Sequence, residues 1–173
     1  MERRLQEIKA VVVHWDAGVV KDSIKALKDW MVSETDHMYH RFVRRNEVNY
    51  GRSTNYRCVH CGAPKYTQEA IRFFGDYCPS WRHTKETPHL NSPNNCTIGI
   101  CILHDFDDGG YSVETMKTAA KLAAEMLAFF RLGIDGFWTH SMICGEDYKH
   151  CPKAFVENPT LWKEFRGMVE NYL

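Results

Sequence analysis

A chain of 173 residues that is 44% hydrophobic and 13% aromatic can bury the core of one domain and is too short for two of ordinary size. Lys+Arg and Asp+Glu stand at 22 each, so the formal net charge is zero, which removes the electrostatic case for nucleic acid or an anionic membrane as main partner. The arginines that cluster in sequence, Arg41, Arg44, Arg45, Arg52 and Arg57, read as a solvated face.

At the N-terminus Met1-Glu2-Arg3-Arg4 leads into Leu5-Gln6-Glu7 rather than an apolar stretch. No signal peptide is read there, and no run is long enough to span a bilayer. The expectation is a protein made in the cytoplasm and held there until another factor releases it. The seven cysteines then read as thiols or metal ligands rather than disulfides. Residues 8–15, with β-branched Ile8, Val11, Val12 and Val13, suit a buried central strand ended by Gly18. Helical spacing follows over 22–32 through Ile24, Leu27, Trp30 and Met31, with Asp22 or Ser23 as N-cap. Residues 37–43 predict a second strand. Residues 44–95 look loop-rich, with a short helix from Thr67 to Phe74, and 96–104 form another strongly apolar strand before a polar turn at 105–110. Ser112 caps a helix over 112–132 with one apolar stripe (Met116, Ala119, Ala120, Ala123, Leu127, Phe130) and Gly133 as its C′ residue. A strand at 134–139 delivers His140, and a last helix after Pro159 carries Leu161, Trp162, Phe165 and Val169. Interleaved strands and helices make the fold α/β, a mixed central sheet flanked by helices, in a single domain over 1–173.

Two distant segments place metal ligands at the ends of apolar runs: His14 closes the first strand, and His140 with Cys151 follows the last one. Two imidazoles and one thiolate with one open position describe a catalytic zinc site, whereas a closed structural site would want four ligands. Spacing alone also allows Cys144 with Cys151, and His150 lies beside the latter.

Four blocks, in order, resemble the zinc-dependent N-acetylmuramoyl-L-alanine amidases of the type 2 amidase and peptidoglycan-recognition superfamily. They are Val12-Val13-His14-Trp15-Asp16-Ala17-Gly18, Met38-Tyr39-His40-Arg41-Phe42-Val43, Asn95-Cys96-Thr97-Ile98-Gly99-Ile100-Cys101-Ile102, and His140 with Lys149-His150-Cys151-Pro152. The resemblance implies His14, His140 and Cys151 as ligands of a catalytic Zn2+, with Tyr39 and Lys149 as the catalytic pair. It implies hydrolysis of the amide between N-acetylmuramic acid and L-alanine of bacterial peptidoglycan by zinc-activated water. Some members carry a glutamate general base on the core strand; the corresponding position here is Cys101, as in small phage amidases that use the Tyr and Lys pair. His89, in the loop before that strand, stands where members often place a pocket histidine. The spacing from His140 to Cys151 is longer than usual for the family, and residues 44–88 look like an insertion.

Within the insertion, Cys58-Val59-His60-Cys61-Gly62 is half of a zinc-knuckle pattern, and Cys78 with His83 could complete a second, structural zinc site. His60 or Cys96 could take the place of His83. The function expected is that of a phage or prophage endolysin: a monomer acting on peptidoglycan, without nucleic acid and without membrane insertion. The rivals are a cytoplasmic amidase that recycles muropeptides and a peptidoglycan-recognition module that does not cleave.

Overall fold

Val11-Val12-Val13 is a β-branched run, stiff at χ1 and suited to a pleated, buried surface. In the computed structural model it forms the middle of β1 (Ala10–Trp15), in which Ala10 to His14 are buried. The structure describes residues 7–15, 29, 39–51, 53–54, 58, 60–61, 63, 65–78, 92–103 and 112–173. The helix expected over 22–32, apart from Asp29, and the turn at 105–110 lie outside these residues, as do His83 and His89.

Four further strands complete one sheet: β2 (Arg41–Arg44), β3 (Glu47–Tyr50), β4 (Thr97–Ile102) and β5 (Phe137–Thr139). Their order is β3-β2-β4-β1-β5; β2, β4, β1 and β5 run parallel and β3 pairs antiparallel with β2. The sheet is mixed, as the sequence leads one to expect. β4 and β1 have neighbours on both sides and helices over the sheet, and so their residues are almost continuously apolar. Among the described residues no helix is long and apolar enough to cross a membrane.

β3 lies at the start of the stretch over 44–95 that reads as loop-rich, where no strand is expected. It follows β2 through a two-residue turn in which Arg45 takes a φ of 50° and its amide donates to Thr115 Oγ1 at 2.7 Å. Glu47, Val48 and Tyr50 are exposed, so an edge strand of this kind carries no apolar period to reveal it.

Five α-helices are bounded within the described residues. In α1 (Gln68–Phe74) the Thr67 side chain caps the Ala70 amide. In α2 (Val113–Phe129) Ser112 Oγ accepts from Thr115 N at 3.1 Å, as expected of that cap. The other end of α2 differs from expectation. Arg131, not Gly133, takes the left-handed conformation, with a φ of 57°. Arg131 N donates to Ala128 O and Leu132 N to Leu127 O, the hydrogen-bond pair of a Schellman motif. Leu132 packs back on the core, and that contact fixes the stop two residues earlier than the glycine suggests. α3 (His140–Cys144) and α4 (Lys153–Glu157) are short, and α5 (Pro159–Tyr172) starts at Pro159 with the Asn158 side chain as cap.

The alternation of β1 sorts its side chains between two cores. Val11 and Val13 join Ile98, Ile100 and Ile102 against α2 and α5. Ala10 and Val12 join Trp138, Ala70, Phe74 and Ile143 on the side of α1 and α3. His14 continues this second set, so the pleat sends it to the α3 side. Phe165, fully buried on α5, stacks at 4.9 Å on Phe155 and meets Phe137 at 5.8 Å. Phe165→Ala should lower unfolding free energy by about 3–5 kcal/mol through the cavity it leaves. Urea unfolding tests this: a lower midpoint at unchanged slope is expected, and a loss under ~1 kcal/mol would mean that α5 does not anchor the sheet.

Candidate active site

β1 and β5 are adjacent and parallel, so their C-terminal ends open on the same edge of the sheet. His14 is the last residue but one of β1, and His140 directly follows β5. Their rings meet at 4.9 Å between centroids and 64° between planes. Cys151 is brought back to this edge by its own backbone: its carbonyl accepts from the Ser141 amide at 3.0 Å, one of the N-terminal donors of α3 that the helix cannot use. Cys151 Sγ then lies 3.6 Å from His14 Nδ1. One donor atom from each of His14, His140 and Cys151 lies within 4.8 Å of the others, and all three residues are buried. Among the described residues this is the one group of three or more His, Cys, Asp or Glu so arranged.

The donor set fits zinc. Zn–S near 2.3 Å and Zn–N near 2.0–2.1 Å at the tetrahedral angle put sulfur and nitrogen roughly 3.6 Å apart, the separation seen between Cys151 Sγ and His14 Nδ1. Burial pushes the Cys151 thiol up to about 12, against the opposing pull of the Trp15 backbone and the Lys149 charge. Such a thiol keeps its proton near neutral pH unless a cation is there to stabilise the thiolate.

Tyr39 lies just before β2, half-buried, with its ring 4.9 Å from that of His14. Lys149 stands in the turn after α3, its amide bonded to Gly145 O at 3.0 Å; the side chain is exposed and its charge acts on both Cys144 and Cys151. Gly145, at a φ of 87°, supplies the left-handed backbone this turn needs. Cys101 pairs in register with His14 on β4 and is fully buried. His14, His140 and Cys151 are thus brought together at one sheet edge, the Tyr39 ring reaches His14 from the segment before β2, and the Lys149 charge acts on Cys151.

The residues expected at a second, structural site behave differently. Cys58, Cys61 and Cys78 are each buried but are not drawn together as a set of metal donors, and His83 lies outside the described residues. Cys61 and Cys78 pack instead in the core between α1 and the sheet, with Cys96. His60 is the residue whose importance the spacing does not reveal. Its Nδ1 lies 2.9 Å from His14 Nε2, and it is buried against the sheet. The signal for it is indirect: Gly99 interrupts a fully buried strand, and a glycine there marks a close approach. A Cβ at Gly99 would stand 2.9 Å from His60 Nδ1.

Comparison with known proteins adds three findings. The family model for N-acetylmuramoyl-L-alanine amidase matches residues 4–154. No curated protein matches the chain. Among solved structures, the chain is similar to a mutant endolysin from Bacillus subtilis (18% identity, TM-score 0.63, 94% of this chain and 86% of that one). It is similar to the catalytic domain of XlyA (19%, 0.66, 97% and 91%) and to the Staphylococcus aureus hydrolase AmiA in complex with its ligand (19%, 0.63, 96% and 74%). At such identities these likenesses speak to the fold.

Proposed function

Because the chain belongs to the N-acetylmuramoyl-L-alanine amidase family, we propose that it cleaves the bond between N-acetylmuramic acid and L-alanine in peptidoglycan at the edge where His14, His140 and Cys151 meet. The observation that carries this reading is the convergence of those three buried donors from opposite parts of the chain. They would hold zinc and leave one position open, and the ion would activate water and polarise the amide carbonyl.

The protein's own groups then have distinct tasks. Lys149, at the rim, places a positive charge where the carbonyl oxygen gains negative charge, an effect that grows as substrate excludes water. Tyr39, against His14, offers a hydroxyl to carry a proton between water and the leaving amine, directly or through solvent. Cys101 beside His14 supplies no carboxylate for that purpose. A role as an endolysin, held inside the host cell until it reaches the wall, is supported by the shared fold with an endolysin.

The chemistry is tested on purified peptidoglycan. Loss of turbidity should be matched by new N-terminal alanine with no new reducing sugar ends. Dialysis against a chelator should stop it, and stoichiometric zinc should restore it. Reducing ends in place of free amines, or undiminished lysis after zinc removal, would sink the reading.

A further inference from the structure

His60 belongs to the 44–88 segment, not to any of the elements that carry the three donors. Yet its Nδ1 sits 2.9 Å from His14 Nε2, while His14 Nδ1 faces Cys151 Sγ at 3.6 Å. The two nitrogens of His14 therefore point to two different partners. A neutral imidazole that ligates through one nitrogen carries its proton on the other. We propose that His60 is the positioning residue of the metal centre: it accepts a hydrogen bond from His14 Nε2–H and so commits His14 to present Nδ1 to the ion. This rests on the amidase reading above.

The hydrogen bonds from His60 to Thr97 and from Thr97 to Pro93 agree with this direction. If His60 accepts at Nδ1, its proton is on Nε2, which lies 3.1 Å from Thr97 Oγ1. Thr97 then accepts from His60 and donates its own hydroxyl to Pro93 O at 2.7 Å, where the chain of donors ends on a carbonyl. His14, His60 and Thr97 are all buried, so bulk water does not substitute for these partners. The ring is also held in place from behind. Asn94 Oδ1 accepts from the amides of His60 at 2.9 Å and Cys61 at 2.8 Å, and the missing side chain at Gly99 makes the space the ring fills. In this account the 44–88 segment contributes to the metal site through its histidine.

The experiment is zinc affinity by chelator competition on the wild type, His60→Ala and His60→Asn, with nitrogen-15 NMR of the histidine rings in the zinc-loaded wild type. His60→Ala should bind zinc about 10–100-fold more weakly. His60→Asn, whose Oδ1 stands where Nδ1 was, should recover most of that loss, which a mere space-filling role would not produce. In the wild type, His14 should show a metal-bound Nδ1 and a protonated Nε2. Unchanged affinity in His60→Ala overturns the proposal, as does an asparagine variant no better than alanine. Ligation of zinc through His14 Nε2 overturns it whether or not the variants fold. A wild type that takes up no zinc would instead overturn the amidase reading itself, and the role of His60 with it.

Discussion

Cys151→Ser is expected to lose its zinc and its lytic activity in one step. Serine keeps the backbone, so the Cys151 carbonyl that receives the Ser141 amide is still present and the fold should persist. What changes is the donor. A buried hydroxyl at this position does not ionise near neutrality, and zinc favours thiolate over a neutral alcohol. Loss of a hydrogen-bond partner behind a ligand costs up to about 100-fold in affinity, and loss of a ligand should cost more. Metal analysis after dialysis, alongside turbidity loss on peptidoglycan, reads both effects. A serine variant that keeps one zinc per chain would remove Cys151 from the ligand set.

Lys149→Ala should separate the two properties. Activity should fall by about 10²–10³ in kcat, the cost of removing one group that stabilises a developing oxyanion. Zinc stoichiometry should stay that of the wild type. Lys149 does favour the Cys151 thiolate, but the side chain is exposed and its charge is screened, so the ion itself dominates the balance at the thiol. Full activity in the alanine variant, or loss of zinc with it, would end the assignment of Lys149 to the chemistry.

What could be read before any coordinates follows the physics of each segment. β1, β4, α2 and α5 were legible because burial on one or both faces leaves a strong periodic pattern. His14 and His140 were legible because each closes such a run. β3 was hidden because an exposed edge strand has no apolar face to display. The stop of α2 was misplaced because a packed Leu132 outweighed the ease with which glycine turns left-handed. In sequence His60 reads as a spare fourth ligand for the CxxC pattern, since its neighbours in the fold, His14, Asn94 and Thr97, are distant along the chain. Of the cysteines expected in a metal knuckle, Cys61 and Cys78 pack in the core on the α1 side of the sheet, with the Cys61 sulfur 3.3 Å from Thr97 Oγ1 and 3.4 Å from Asn94 Oδ1.

The contact between His14 and Cys151 spans 137 residues of chain. At about 5–20 residues per second, synthesis separates the emergence of the two by roughly 7–27 s. A growing polypeptide on the ribosome therefore has one half of the proposed zinc grip long before the other, and in the folded chain the pairing of β1 with β5 brings His14 and His140 side by side. Competence arises late and all at once, when the closing turn after α3 leaves the ribosome. Shorter translation products that end before Cys151 would be inert towards cell wall however well their first strands had formed.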